Sequence, residues 1–261
     1  MSGSKEFHGV CFSVSNWPVT KSEYLPHLET VAPHTEWVRT YNDTMPEFGL
    51  ESHRLGLKVA AGAALIAGLF ARNDGEVARL IQDARNGHVD LAVIGNETIY
   101  SGGISPADHS IYIDRFRRAC PHVPVTTAQD ADRLMDHPEV IDGCDIVAMH
   151  VYPYWGGRHI DDACSHVAMK YERILDLAKG KEVQILETGW PTAGETIGEA
   201  IPSLENAAQY IVDVHEWALA NNVKVWPFEA LNEPWKAAIE KEQGAHWGIW
   251  DKDGVRKYLT W

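Results

Sequence analysis

Two stretches of the chain set a carboxylate where an apolar run stops: Val93-Ile-Gly-Asn-Glu97 and Val183-Gln-Ile-Leu-Glu-Thr-Gly-Trp-Pro191. A strand rich in β-branched residues needs no charge at its tip, so a Glu placed there to meet solvent is a candidate working group. Two such groups, Glu97 and Glu187, can divide the labour of glycosidic bond cleavage. One delivers a proton to the leaving oxygen and the other meets the oxocarbenium-like centre. Flat aromatics follow other apolar runs at Tyr41, Tyr152, Tyr154 and Trp155, and Trp190 follows Glu187. A neutral sugar has no charge to grip, and its C–H faces stack on such rings.

These residues need a frame that brings strand ends together. Eight apolar runs rich in β-formers span 7–14, 37–41, 57–61, 90–95, 123–127, 145–151, 183–186 and 223–228. Between them the pattern predicts helices over 22–30, 74–86, 106–119, 164–178 and 204–221. Strand alternating with helix implies parallel strands and right-handed crossovers, and eight units in a chain of 261 residues suit a (β/α)8 TIM barrel. Chemistry in that architecture gathers at the C-terminal strand ends, where the carboxylates, amides and aromatics of this sequence fall. A doubly wound open sheet is the alternative, but no G-x-G-x-x-G follows the first strand. A barrel also lets Glu97 on the fourth strand and Glu187 on the seventh approach to roughly 5 Å, the separation of a retaining mechanism.

At 45% hydrophobic the chain fills one large domain, 1–261, better than two small ones. A formal net charge of −14 argues against nucleic acid or an anionic membrane as partner and fits a neutral ligand. The sequence offers no membrane-spanning run and no signal-peptide core. The expectation is therefore a cytoplasmic protein, or a periplasmic or extracellular one whose targeting segment or adjoining domain lies elsewhere. Cys11, Cys120, Cys144 and Cys164 lack C-x-x-C spacing and are expected as buried free thiols. Thirteen histidines occur without H-E-x-x-H or H-x-H, so neither a catalytic metal nor any other cofactor is expected. His150 ends the sixth strand, to satisfy a buried hydrogen bond or to touch sugar. Glu229 either joins a charged network or closes the barrel mouth.

Six segments in order, Val38-Arg-Thr-Tyr41, Gly95-Asn-Glu97, Val151-Tyr-Pro-Tyr-Trp155, Glu187-Thr-Gly-Trp-Pro191, Glu233-Pro-Trp-Lys236 and Trp247-Gly248, resemble glycoside hydrolase family 17, the β-1,3-glucan-active (β/α)8 barrels. The resemblance runs from the second strand nearly to the C-terminus. It implies Glu97 as acid/base, Glu187 as nucleophile, Asn96 as a donor near the sugar 2-hydroxyl, and Glu233, Lys236 and Glu242 as a charged network beside them. Leu231 and Asn232 stand where relatives often have Phe and Asp, which touches local contacts and the acceptor side of the cleft. The expected partner is a β-glucan oligosaccharide or polysaccharide, bound by a monomer. The expected activity is retaining cleavage through a glycosyl-enzyme, ending in hydrolysis or in transfer to a second sugar. A non-catalytic glucan-binding barrel and a glycosidase for another β-linked sugar are the competing readings.

Overall fold

The computed structural model describes residues 5–99 and 103–258. Its strands are β1 (Phe7–Cys11), β2 (Thr35–Arg39), β3 (Lys58–Ala63), β4 (Leu91–Asn96), β5 (Val125–Asp130), β6 (Val147–His150), β7 (Val183–Thr188) and β8 (Lys224–Pro227). The helices are α1 (Lys21–Val31), α2 (Phe48–Arg54), α3 (Phe70–Arg85), α4 (Pro106–Ala119), α5 (Ala131–Asp136), α6 (Ile160–Leu177), α7 (Leu204–Asn221) and α8 (Ala237–Glu240). All neighbouring strands pair in parallel, in chain order from β1 to β8. β8 lies against β1, and the Ala230 N–H just beyond β8 donates to the Cys11 carbonyl at 2.8 Å. This is the (β/α)8 barrel that the sequence implies.

Local chemistry sets the helix ends. Ser105 accepts from the Asp108 N–H ahead of Pro106, and Ser203 accepts from the Asn206 N–H, so α4 and α7 start where a capping side chain meets an unpaired amide. α7 stops at Asn222, which takes a left-handed φ of 54°. β5 extends three residues past its expected end because Ala128 and Gln129 are buried at the barrel's core and Gln129 finds partners in Thr98 and Thr127. α3 begins at Phe70, four residues early. α2, α5 and α8 were not anticipated, being too short to show a helical period.

Small residues fill most of the barrel interior: Cys11, Ala60, Ala128 and Ala148 face Leu91, Val93, Leu186 and one large ring, Trp226. A Cβ at Gly9 would stand 2.4 Å from that indole, so glycine is required there. Larger apolar clusters lie between the sheet and its jacket of helices. The four cysteines are free, three of them buried and Cys164 half-buried. Among the described residues no helix is long and apolar enough to cross a membrane.

Candidate active site

Three of the strand pairs change register near the C-terminal rim: β4 with β5 between Val93 and Asn96, β6 with β7 at Met149 and His150, and β7 with β8 between Ile185 and Thr188. Such irregularities turn side chains out of the ladder's alternation, and here they occur at the tips that carry Asn96, Glu97, His150 and Glu187. β4 bends through Gly95, at φ 76°, where a Cβ would come within 2.5 Å of His109 Nε2. Glu97 itself holds φ 49°, and its N–H is fixed to the Ala128 carbonyl at 2.9 Å. A left-handed non-glycine residue is costly and persists where its surroundings hold it.

One guanidinium organises the site. Arg39, fully buried, donates through Nη1 to Glu187 Oε1 at 2.8 Å and to the Leu186 carbonyl at 3.0 Å, and through Nη2 to Asn96 Oδ1 at 2.5 Å. Its Nη1 also lies 3.1 Å from His150 Nε2. A guanidinium only donates, so Nε2 accepts and the imidazole proton sits on Nδ1. That Nδ1–H donates to Glu97 Oε1 at 2.8 Å and stands 3.4 Å from Glu187 Oε2. One carboxylate oxygen of each Glu and a ring nitrogen of His150 all lie within 4.8 Å of one another. These three donors form a group that could hold a metal ion, but Arg39 already supplies a positive charge in contact with two of them.

The two carboxylates have unlike surroundings. Glu187 is buried and its Oε2 accepts the Tyr152 hydroxyl at 2.5 Å. Burial alone would raise its pKa. His150, Arg39 and the hydroxyls of Tyr152 and Tyr41 outweigh that and hold it below the ordinary carboxylate value. Burial, reinforced by the charge of Glu187, pushes the Tyr152 phenol well above its usual range, so it stays a donor. The Glu97 side chain is 31% exposed and open to the cleft.

Beside them lies a buried triad. Lys236 pairs with Glu229 and, at 2.5 Å, with Glu233, and its ammonium stands 4.3 Å from the centre of the Phe228 ring. Burial, helped by the charge of Glu233, drives the Glu229 pKa well up. Burial pushes Glu233 the same way, but Lys236 overcomes it and leaves Glu233 lowered. The two carboxyl groups around the Lys236 ammonium thus have opposite tendencies, and Glu229 belongs to this network.

A cleft of about 930 Å³ crosses the mouth. Tyr41, Asn96, Glu97, Tyr152, Trp155, Glu187, Glu233 and Lys236 all line it. Tyr154 and Trp190 do not. They are buried beneath the rim, with the Tyr154 hydroxyl donating to the Glu195 carbonyl at 2.5 Å and Trp190 Nε1 to the Ile201 carbonyl at 3.0 Å. Their proline and glycine neighbours marked a loop correctly, but that loop is itself packed. Glu242 also falls outside the cleft, exposed on a 3-10 turn. Glu240 takes the inward place: it lines the cleft and accepts from Trp247 Nε1 at 3.1 Å, and burial raises its pKa with the charges of Glu187 and Glu97 adding to the effect. Sequence reasoning left out Arg39, Glu240, Trp235 and Trp247 as site residues. Arg39 carried a signal, since an arginine inside an apolar strand must find buried partners.

A parallel eight-stranded barrel with two carboxylates a few ångströms apart at its mouth is the architecture of a glycosidase. The family model of the BtgE/BtgC glycoside hydrolase domain matches residues 9–248, and the chain belongs to that family. A glucan 1,3-beta-glucosidase of Candida albicans is 25% identical over 98% of this chain and 89% of its own. The glycoside hydrolase family 17 beta-1,3-glucanosyltransferase of Rhizomucor miehei superposes with a TM-score of 0.86 at 26% identity, covering 99% of this chain and all of that one. An active-site mutant of the same enzyme in complex with laminaritriose gives the same score and identity over 97% of this chain and 96% of its own. The resemblance to family 17 read from six short segments is thereby borne out along nearly the whole sequence.

Proposed function

We propose that the protein cleaves β-1,3-glucan with retention through a covalent intermediate on Glu187, acting as a monomer with one catalytic domain. The observation that carries this is the separation of the carboxylates, within 4.8 Å, together with their unequal surroundings. Glu187, kept ionised by Arg39 and Tyr152, attacks the anomeric carbon and forms an ester as the glycosidic C–O bond breaks. Glu97 gives its proton to the departing oxygen. His150 holds Glu97 Oε1, which leaves Oε2 to carry that proton. Asn96 has its carbonyl oxygen committed to Arg39, so its amide N–H groups are the ones turned to a sugar hydroxyl. In the second step the Glu97 carboxylate takes a proton from the incoming hydroxyl, whose oxygen displaces Glu187 and restores the enzyme.

When the incoming hydroxyl is water the outcome is hydrolysis, and when it belongs to a second sugar the outcome is transfer. Trp155, 42% exposed above the cleft, supplies a ring on which an acceptor sugar can stack, and this favours transfer beside hydrolysis. The names of the relatives, a glucan 1,3-beta-glucosidase and a beta-1,3-glucanosyltransferase, support β-1,3-glucan as substrate. Incubating the protein with laminari-oligosaccharides of one length tests the reading. Products longer than the donor identify transfer, shorter products alone identify hydrolysis, and no product at all overturns the proposal in favour of a binding barrel.

A further inference from the structure

Behind Glu97 the packing is polar where an apolar filling would cost less. α4 turns His109, Ile113 and Phe116 inward on one face, and Ile113 and Phe116 join an apolar layer with Ile94 and Val125. His109 does not match these neighbours: it is fully buried and meets Thr127 of β5, which is buried too. Ala128 faces the barrel interior, so Thr127 and the buried Gln129 share the opposite face of β5, toward the helices.

The three side chains form one network. Thr127 Oγ1 donates to the Gly95 carbonyl at 3.3 Å, accepts from Gln129 Nε2 at 2.8 Å and lies 3.2 Å from His109 Nε2. Its single proton is committed to Gly95, so His109 Nε2 is the donor in the last contact. Burial lowers the His109 pKa to about 4, which keeps that ring neutral. Gln129 Nε2 also donates to Thr98 Oγ1 at 3.1 Å, and its Oε1 accepts the Ile99 N–H at 3.3 Å. These bonds end on Gly95, Thr98 and Ile99, which bracket Glu97 in the chain. A Cβ on Gly95 would stand 2.5 Å from His109 Nε2 and 3.0 Å from Thr98 Oγ1, so the backbone is pressed onto the network. Apolar side chains would fill the same space with no need of partners. What the polar ones secure is the left-handed turn at Glu97, at φ 49°.

We propose that Thr127, Gln129 and His109 are positioning residues for Glu97, which fix the turn that aims its Oε2 at the leaving glycosidic oxygen. This rests on the acid/base reading of Glu97 given above. They act on the backbone either side of Glu97, while His150 anchors the carboxylate itself. A displacement of about 1 Å at a proton donor can cost about a hundredfold in rate, so a slack turn would weaken proton transfer before it weakened sugar binding.

The test compares Thr127→Val, which keeps the shape of the side chain without its hydroxyl, with Thr127→Ser, which restores the hydroxyl, and with Glu97→Ala. Two rates are read for each protein. Turnover of an unmodified laminari-oligosaccharide needs Glu97 in both steps. Turnover of a dinitrophenyl β-laminarioside in the presence of azide needs it in neither, because the phenolate leaves without a proton and the azide anion displaces Glu187 without a base. The ratio of the first rate to the second falls about ten- to a hundredfold in Thr127→Val and returns to within about threefold of the parent in Thr127→Ser. A merely structural role would lower both rates together and leave the ratio at its parental value, which overturns the proposal. Gln129→Met removes the amide from the other side of the network and is read in the same way, so the test stands even where Thr127→Val does not fold. A ratio that falls in Glu97→Ala but in neither network variant sinks the positioning role alone. A parental ratio in Glu97→Ala sinks the acid/base reading, and this inference with it.

Discussion

Glu97 and Glu187 end strands on opposite arcs of one barrel and share a single imidazole, yet their environments scarcely overlap. Glu187 is sealed in, with a guanidinium on one oxygen and a phenol on the other. Glu97 is partly open to the cleft, and the His150 ring N–H anchors one of its oxygens. A nucleophile has to remain an anion in one place, and a fixed cation accomplishes that. A group that gives and takes a proton in alternate steps is better served by an open flank and a single anchoring N–H, which fixes its orientation and leaves its second oxygen free.

The sharpest way to break this pairing is Glu187→Ala. Turnover of β-1,3-glucan should fall by about ten-thousandfold or more, and near-parental activity would remove the nucleophile assignment. Next in size is Glu97→Ala, expected to cost about a hundred- to ten-thousandfold on natural glucan but far less on an aryl glycoside whose leaving group needs no proton. Equal losses on both substrates would contradict the acid role. Tyr152→Phe removes one donor from Glu187 and should lower kcat about ten- to a hundredfold. The same variant tests the direction of the pH dependence. The Glu187 pKa is depressed, so activity should persist below the ordinary carboxylate range and fail only as pH drops through the lowered value. Without the phenol that value rises, and the acid limb of kcat/KM should move to higher pH; a limb that stays put would separate Tyr152 from the charge on Glu187. The smallest effect is expected at Trp155→Ala, a rise in KM of about two- to tenfold with transfer products reduced relative to hydrolysis.

Much of this was legible in the residues. All eight strands overlap the apolar runs marked in the sequence, and helices α4 and α7 match their periodic stretches to the residue. The unforeseen helices α2, α5 and α8 run for one turn or two and are held by packing rather than by pattern. Glu97 and Glu187 stood out because each ended an apolar run that had no other need of charge. What the sequence hides is direction. Nothing local tells that Trp155 faces the cleft while its neighbour Tyr154 faces the core, or that α8 and the turn after it point Glu240 inward and Glu242 out. Arg39 was visible as a residue but not as a hub, because its partners come from strands far apart in the chain.

That hub has a further consequence. A single side chain on β2 grips groups carried by β4, β6 and β7, so the reaction centre doubles as a clasp across the rim. Drift that discards the chemistry therefore also loosens the architecture. A descendant that kept the barrel and lost its activity would have to reinvent the clasp, which binds the survival of the fold to the survival of its trade.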